Sequence, residues 1–190
     1  MTLPPIAHGE RLIVVVGPSG AGKDSVLHEW RRRLGAQAPV HFAQRVITRA
    51  AGAVGEAHEA VAPAEFHRLL EAGELATAWQ ANGLHYGVRR RELHALARGA
   101  WVVMNGSRGH LPVLRAQAPA LHAVEITAPA DVRARRLAQR GREDAAAMAQ
   151  RLRRELAAQA ALVLVNDDGR LVHAVDTLHD WWSQQHRGAC

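Results

Sequence analysis

The stretch VVVGPSGAGKDSVL, from Val14 to Leu27, contains three kinds of sequence in succession. It begins inside the unbroken, mostly β-branched run 11–16, which is typical of a strand buried on both faces of a parallel sheet. Glycines interrupt this run between Gly17 and Gly22, and apolar residues then recur at helical spacing, at positions 26, 27, 30 and 34. A strand, a glycine-rich loop and a helix in this order are the context of a phosphate-binding loop.

The loop itself has the residues that such a site needs: Gly17, Pro18, Ser19, Gly20, Ala21, Gly22 and Lys23. Its glycines let backbone N–H groups turn toward phosphate oxygens, and the following helix adds its N-terminal dipole. Lys23 is the only lysine, since the other 23 of the 24 basic residues are arginine. A compact ammonium suits a phosphate cradle better than a planar guanidinium. We therefore predict that the loop binds ATP and that Lys23 reaches the β- and γ-phosphates.

Asp24 departs from the usual pattern, in which a serine or threonine hydroxyl at this position contacts Mg²⁺. A carboxylate is a charged oxygen ligand that holds Mg²⁺ directly or through water. The alternative is that Asp24 is simply a favourable acid in the first turn of a helix. Ser25 is a stand-in hydroxyl donor, and the sequence leaves these possibilities open.

Composition excludes several classes of protein. The 190 residues suit one domain, and the charge of +6 favours anionic partners. With only 4% aromatic residues and scattered arginines, we expect no nucleic-acid partner. The apolar run near the N-terminus is far shorter than the roughly 20 residues of a membrane span, and no secretory signal is visible. With Cys190 as its one cysteine, the chain is expected to be cytoplasmic.

Strands and helices alternate along most of the chain, which predicts an α/β fold of three layers with a mainly parallel sheet. Asn82-Gly83 predicts a hairpin turn between two short strands. The part at about 48–90 has the irregular character of an insertion that binds ligand. The predicted strands cover 11–16, 41–47, 75–80, 84–88, 101–105, 123–127 and 162–165, and the predicted helices cover 64–72, 89–98, a stretch from about 111, 129–160 apart from Gly141, and 172–185.

Polar side chains follow the buried run 101–105. Asn105 and Ser107 are candidates to bind ribose hydroxyls, and Arg108 is a candidate to bind a phosphate, because strand ends in such sheets face the ligand. A helix cap is the alternative role for Ser107. Arg45 is either a substrate ligand or a charge on an edge strand.

Several segments together resemble guanylate-kinase-like proteins, most closely the branch of phosphonate breakdown that phosphorylates ribose 1,5-bisphosphate. These segments are GPSGAGKDS, RVITR, NGLHYGV, VVMNGSRGHL, RLAQRGRE and VNDDG, in this order over about residues 11–180. The resemblance implies a single P-loop kinase domain over 1–190, with its core at about 11–47, 99–135 and 155–187. It also implies an acceptor-binding region at about 48–90 and an arginine-bearing lid at about 136–151.

The resemblance also implies roles for individual residues. Arg49 and Tyr86 match acceptor-binding positions of the family, and Asn166 and Asp167 match its adenine-side segment, although Asp-Asp-Gly also makes an ordinary turn. The lid arginines of the family match Arg136, Arg140 and Arg151, which would neutralise charge on the transferred phosphoryl group.

Guanine-reading groups of the family are replaced in this chain. Alignment on the motifs places Thr77 and Val88 at the glutamate and hydroxyl positions, and Met104 and Gly106 at an acidic pair. The implied reaction is therefore ATP-dependent, Mg²⁺-requiring conversion of ribose 1,5-bisphosphate to 5-phosphoribosyl 1-diphosphate (PRPP), with ADP as product. The alternatives are a guanylate or other nucleoside-monophosphate kinase and a non-catalytic binding module of the same fold. The expected partners are ATP and a phosphosugar, without nucleic acid or membrane, and a homodimer is possible.

Overall fold

The computed structural model describes residues 3–49, 58–139 and 159–188. Its strands are β1 (Leu12–Val16), β2 (Val40–Phe42), β3 (Arg45–Ile47), β4 (Glu59–Ala60), β5 (Leu75–Ala81), β6 (Leu84–Arg89), β7 (Trp101–Asn105), β8 (His122–Thr127) and β9 (Leu162–Val165). Its α-helices are α1 (Lys23–Leu34), α2 (Pro63–Glu71), α3 (His94–Ala97), α4 (Leu111–Gln117), α5 (Ala130–Gln139) and α6 (Leu171–Gly188). Short 3₁₀ turns lie at Gly9–Arg11, Arg90–Leu93 and Arg108–His110.

The strands form two sheets. The first has five strands in the order β2-β7-β1-β8-β9, with β2 parallel to β7 and β8 parallel to β9. The second has the order β4-β3-β6-β5, in which β3–β6 and β6–β5 are antiparallel. The predicted α/β fold with a mainly parallel core sheet is therefore confirmed, and the part expected to be irregular supplies most of a second sheet.

The chain divides into two compact units, one of Met1–Val14 and Pro39–His122 and one of Val15–Ala38 and Ala123–Cys190. In the first unit, Phe66 and Leu69 of α2 pack with Val46 and Leu75 of the second sheet. The apolar spacing of α2 thus buries one face of this helix. The single domain that we expected from the sequence stays a prediction.

The hairpin of the first unit forms as predicted. Asn82 and Gly83, between β5 and β6, have φ angles of 51° and 72°. Positive φ at both central residues is the requirement of a type I′ turn, which matches the twist of the paired strands. Trp79 thereby faces Tyr86, and Thr77 faces Val88, across the strand pair.

In the second unit, α1 and α6 pack through aromatic side chains. The Trp30 and Trp182 rings meet edge to face with their centroids 6.1 Å apart, and both rings are buried. Trp182 also stacks on His186 one turn later. This contact anchors the helix whose first residue is Lys23.

Three local predictions were wrong in detail. The strand expected at 41–47 is split, because the Ala43 N–H bonds to Val103 O while the Gln44 N–H bonds to the Glu92 carboxylate. Its two halves then join different sheets. The helix expected at 89–98 starts late, since Arg89 still belongs to β6. The strand at 162–165 is only partly a core strand, because Val163 and Val165 are 55% and 46% exposed.

Among the helices of the three described ranges, none is both long and apolar enough to cross a bilayer. The expected lid lies largely outside the described residues, as do Arg140, Arg151, Cys190 and the loop 50–57.

Candidate active site

The predicted phosphate loop connects β1 to α1. Gly17 has a φ angle of 148°, and a Cβ built on it would lie 1.9 Å from the carbonyl oxygen of Ile126 in β8. Gly22 has a φ angle of 81° and directly precedes the first helical residue, Lys23. Both positions therefore require glycine because of their positive φ, and Gly17 requires it also because the backbone of β8 approaches it closely. The tertiary structure explains why the loop is rich in glycine.

Lys23 lies where the sequence places it, at the first position of α1. Its ammonium donates to the carbonyl oxygens of Gly17 and Pro18 at 3.0 and 3.3 Å. The side chain is thus folded back along the loop, partly buried, with its charge beside the loop backbone. Phosphate oxygens are acceptors for an ammonium just as carbonyl oxygens are, and the predicted contact of Lys23 with the β- and γ-phosphates stays a prediction.

Asn166, at the end of β9, supports the loop from a distant part of the sequence. Its side chain is 3% exposed, and Nδ2 donates to the carbonyl oxygen of Ala21 at 2.9 Å. A Cβ built on Gly22 would lie 2.4 Å from the same Nδ2. Asn166 is therefore in direct contact with the loop backbone, and its predicted contact with the adenine side of ATP stays a prediction. The Asp167 carboxylate accepts from the N–H of Asp168 in a turn.

Arg136 of α5 joins the same group of residues. Its guanidinium donates to the carbonyl oxygen of Asn166 at 3.0 Å and to the Asp168 carboxylate at 2.9 Å, and it approaches Gly20 O at 3.5 Å. Asp168 also bonds to Arg135. Of the three predicted lid arginines, Arg136 is the one that the structure describes, and it lies beside the phosphate loop.

Asp24 and Ser25 differ in exposure. Asp24 is half-buried in the first turn of α1, whereas Ser25 is exposed. In the described residues, no group of three or more His, Cys, Asp or Glu side chains is arranged to hold a metal. A single carboxylate next to a phosphate loop suits Mg²⁺, which is bound in such sites by one or two carboxylates together with substrate phosphates and water.

The predicted acceptor residues include part of a stacked column in the first unit. The guanidinium of Arg45 lies over the Tyr86 ring, 5.4 Å from its centroid. Tyr86 stacks on Trp79 at 5.5 Å, and Trp79 stacks on His110 at 5.0 Å. Arg45 and Tyr86 are thus brought together, with two aromatic partners that sequence reasoning missed.

A buried hydrogen-bond network continues from the end of this column. Gln117 donates from Nε2 to the carbonyl oxygens of Ala76 and Pro4, so its Oε1 is free to accept from the Thr77 hydroxyl at 3.0 Å. The Thr77 oxygen lies 2.7 Å from His110 Nε2, which must then carry the proton and donate. Burial lowers the pKa of His110 to about 4, so the ring is neutral near pH 7.

The other predicted substrate residues have local contacts of their own. The Arg49 guanidinium approaches His58 Nδ1 at 3.5 Å, which is long for a hydrogen bond. Asn105 is buried at the end of β7. The Ser107 carbonyl accepts from the backbone N–H groups of His110 and Leu111, where the 3₁₀ turn leads into α4, and its side chain makes no capping bond there. The expected alternative role of Ser107 as a side-chain cap is therefore not observed, while Arg108 follows in the same turn.

Some signals for the missed residues were present in the sequence. Trp79 alternates with Thr77 along a predicted strand, so both belong to one face of it. His110 closes the segment NGSRGH after β7. Gln117 had no signal, because its role depends on contacts with residues about forty and more than a hundred positions away.

Comparison with known proteins identifies relatives of this chain. The guanylate kinase family model matches residues 9–184. A ribose 1,5-bisphosphate phosphokinase of Agrobacterium fabrum is 42% identical over 170 residues, covering 88% of this chain and 93% of that protein. One of Pseudomonas fluorescens is 42% identical over 176 residues, covering 88% and 92%. The chain also spans 23% of a bifunctional ribose 1,5-bisphosphokinase-thymidine phosphorylase of Cupriavidus pinatubonensis, at 46% identity over 75% of this chain.

A solved structure supports the fold. The guanylate kinase of Anaplasma phagocytophilum aligns with a TM-score of 0.69 over 98% of this chain and 88% of that one, at 17% identity. The chain belongs to the guanylate kinase family, in the branch that contains its relatives named ribose 1,5-bisphosphate phosphokinases.

Proposed function

We propose that the chain transfers the γ-phosphoryl group of ATP to the 1-phosphate of ribose 1,5-bisphosphate, giving PRPP and ADP. The observation that carries this proposal is the 42% identity to phosphokinases of this name over about nine tenths of their length. The phosphate loop supports it independently, because its glycines and its lysine are all in a geometry suited to phosphate.

The reaction needs charge neutralisation more than proton transfer. An oxygen of the 1-phosphate, already anionic, forms the new bond to Pγ, while the bond from Pγ to the β–γ bridging oxygen breaks and ADP leaves with the electron pair. No general base is required. Lys23 would bind the β- and γ-phosphates, and Arg136 would leave Asp168 or share its guanidinium with the phosphoryl oxygens. Arg140 and Arg151 are proposed to act with it.

The acceptor is proposed to bind through Arg45, Arg49 and Arg108, with Asn105, Ser107 and Tyr86 contacting the sugar. Thr77 supports a phosphosugar over a purine, because its hydroxyl is already bonded to Gln117 and His110 and is fully buried. A hydroxyl that is already bonded to two buried partners is not available to a base edge, so it gives little discrimination in favour of a base.

Magnesium is proposed as the cofactor, with Asp24 as its protein ligand, directly or through water. When bound, the ion would supply positive charge that stabilises the charge developing on the transferred phosphoryl group. Asp24 is suitably placed because it follows Lys23 at the start of α1. Cytoplasmic location and a homodimer remain predictions.

The proposal is tested by coupled measurement of ADP release with ribose 1,5-bisphosphate and with GMP as separate acceptors. We expect turnover with the phosphosugar, PRPP as the product by mass spectrometry, and little turnover with GMP. Turnover with GMP alone would instead establish a nucleoside-monophosphate kinase. If the protein binds ATP but releases no ADP with either acceptor, the result would favour the non-catalytic binding module.

A further inference from the structure

We propose that His110 is a positioning residue of the acceptor site, which acts through Trp79 and Tyr86 on the guanidinium of Arg45. This inference rests on the proposed function, because it assumes that Arg45 and Tyr86 bind the acceptor. It assigns a role to a histidine that neither the phosphate loop nor the predicted substrate contacts require.

Strand register places the relevant side chains on one face of the second sheet. Trp79 pairs with Tyr86 across β5 and β6, and Thr77 pairs with Val88 in the neighbouring row. Arg45 of β3 pairs with the same Val88. Because cross-strand partners and residues two apart share a face, these residues form one continuous surface. On it, Arg45, Tyr86 and Trp79 are half-buried, whereas Thr77 and Val88 are fully buried.

His110 contacts this surface at two neighbouring positions. Its ring stacks on Trp79 with an interplanar angle of 19°, and its Nε2 bonds to Thr77, two residues earlier on β5. The imidazole is 6% exposed, so its place is determined by both contacts. An aromatic ring held by a stack on one face and a hydrogen bond at its edge has little freedom to turn. It therefore restricts the half-buried Trp79 to one orientation.

The orientation of Trp79 is passed on along the column. Its ring is nearly parallel to Tyr86, with an interplanar angle of 10°, and Tyr86 is the surface on which the Arg45 guanidinium rests. A long arginine side chain has several rotamers, and a cation–π contact selects among them. Arg45 is thus aimed by a chain of contacts that begins at His110, in a segment more than sixty residues further along the sequence.

The effect of removing His110 is therefore expected on acceptor binding alone. In His110→Ala, Trp79 loses its stacking partner and the column loosens, which we expect to raise the Kd for ribose 1,5-bisphosphate about tenfold, the scale of one aromatic pair. In His110→Phe, the ring and its stack are retained and only the bond to Thr77 is lost, so the Kd should stay within about threefold of wild type. The affinity for ATP should not change, since the phosphate loop makes none of these contacts.

The decisive experiment is a double-mutant cycle of His110→Ala and Trp79→Ala, with Kd measured by titration calorimetry. Ribose 1,5-bisphosphate is titrated in the presence of a non-hydrolysable ATP analogue, and the analogue is titrated alone as the second readout. If His110 acts through Trp79, His110→Ala should change the Kd less than about twofold when Trp79 is already alanine. The matched control is His94→Ala, which removes an exposed histidine of the same unit and should change neither Kd.

Several outcomes would overturn the inference. Fully additive effects of the two substitutions would show that His110 does not act through Trp79. Equal weakening of ATP and acceptor binding would indicate a general structural role, as would a loss in His110→Phe as large as in His110→Ala. If His110→Ala does not fold, His110→Phe and His110→Gln form the comparison. His110→Phe retains the ring, and His110→Gln retains a hydrogen-bond donor. A larger increase of the acceptor Kd in His110→Phe than in His110→Gln would contradict the proposed stacking role.

The same titrations separate this inference from the proposed function. Wild-type protein that binds GMP but not ribose 1,5-bisphosphate would refute the proposed substrate, and the cycle measured with GMP would still test the coupling of His110 to Trp79. Wild-type protein that binds neither acceptor would overturn both.

Discussion

Replacement of Asn166 by alanine separates two roles of this residue: support of the phosphate loop and contact with the adenine. The buried Nδ2 donates to Ala21 O at 2.9 Å, so Asn166→Ala leaves a buried carbonyl without its partner. Such a loss costs about 1–3 kcal/mol. In the loop, we expect this cost to appear as a lower free energy of unfolding and as a smaller population of the loop conformation that binds phosphate.

The size of both effects follows from this figure. A loss of about 2 kcal/mol lowers the melting temperature by roughly 4–8 °C in a chain of this length. If the whole amount fell on the loop equilibrium, the apparent affinity for ATP would fall at most about thirtyfold, since each 1.4 kcal/mol is tenfold. Asn166→Asp should be at least as damaging, because its carboxylate would face the Ala21 carbonyl as a second acceptor.

The assay combines thermal unfolding with calorimetric titration of a non-hydrolysable ATP analogue. Support of the loop predicts that melting temperature without nucleotide and affinity fall together in Asn166→Ala. An unchanged melting temperature with strongly weakened binding would refute loop support and favour a direct contact of Asn166 with the nucleotide. Titration of inorganic triphosphate, which has no adenine, sharpens the test, because weakened binding of this probe can arise only through the loop.

Three further predictions concern the loop and the buried histidine. Lys23→Met should retain the fold by circular dichroism but lower phosphoryl transfer by on the order of a thousandfold, and a near-normal rate would refute the assignment of the loop. Asp24→Ser should shift the Mg²⁺ concentration needed for half-maximal activity, and an unchanged value would mean that Asp24 is only a helix-start acid. Because burial lowers the pKa of His110 to about 4 from 6.5, unfolded chains bind a proton there that folded chains do not. The free energy of unfolding should therefore be fully retained above pH 6.5 and fall by about 3 kcal/mol toward pH 4. Chemical denaturation of His110→Phe should lack this part of the pH dependence, and an identical pH dependence in the two proteins would contradict it.

Local patterns determined a large part of this protein. The run before Gly17, the glycines and the single lysine predicted the strand, the loop and the helix that the structure contains. Asn82-Gly83 predicted the hairpin, because Asn and Gly readily adopt the positive φ angles that a two-residue type I′ turn requires. These features could be predicted because each depends on backbone preferences within a few neighbouring residues.

Local patterns were less reliable where the structure of a segment depends on which sheet it joins and on its position in that sheet. The stretch 41–47 has the composition of one strand, yet its two ends join different sheets and the chain leaves strand conformation between them. Likewise, 162–165 has the composition of a core strand, but its place at the end of the sheet order leaves alternate valines exposed. Neither the choice of sheet nor the position within it is encoded in a short window.

The sequence by itself predicted which residues would carry charge to a phosphate, and the tertiary structure decided what holds them in place. Asn166 contacts Ala21 across 145 positions, and Thr77 meets His110 across 33. Both contacts pair buried polar groups, whose partners must be found somewhere in the fold because water is excluded. Which partner is found depends on strand order and register, so these supports of the site follow from the fold and not from any motif.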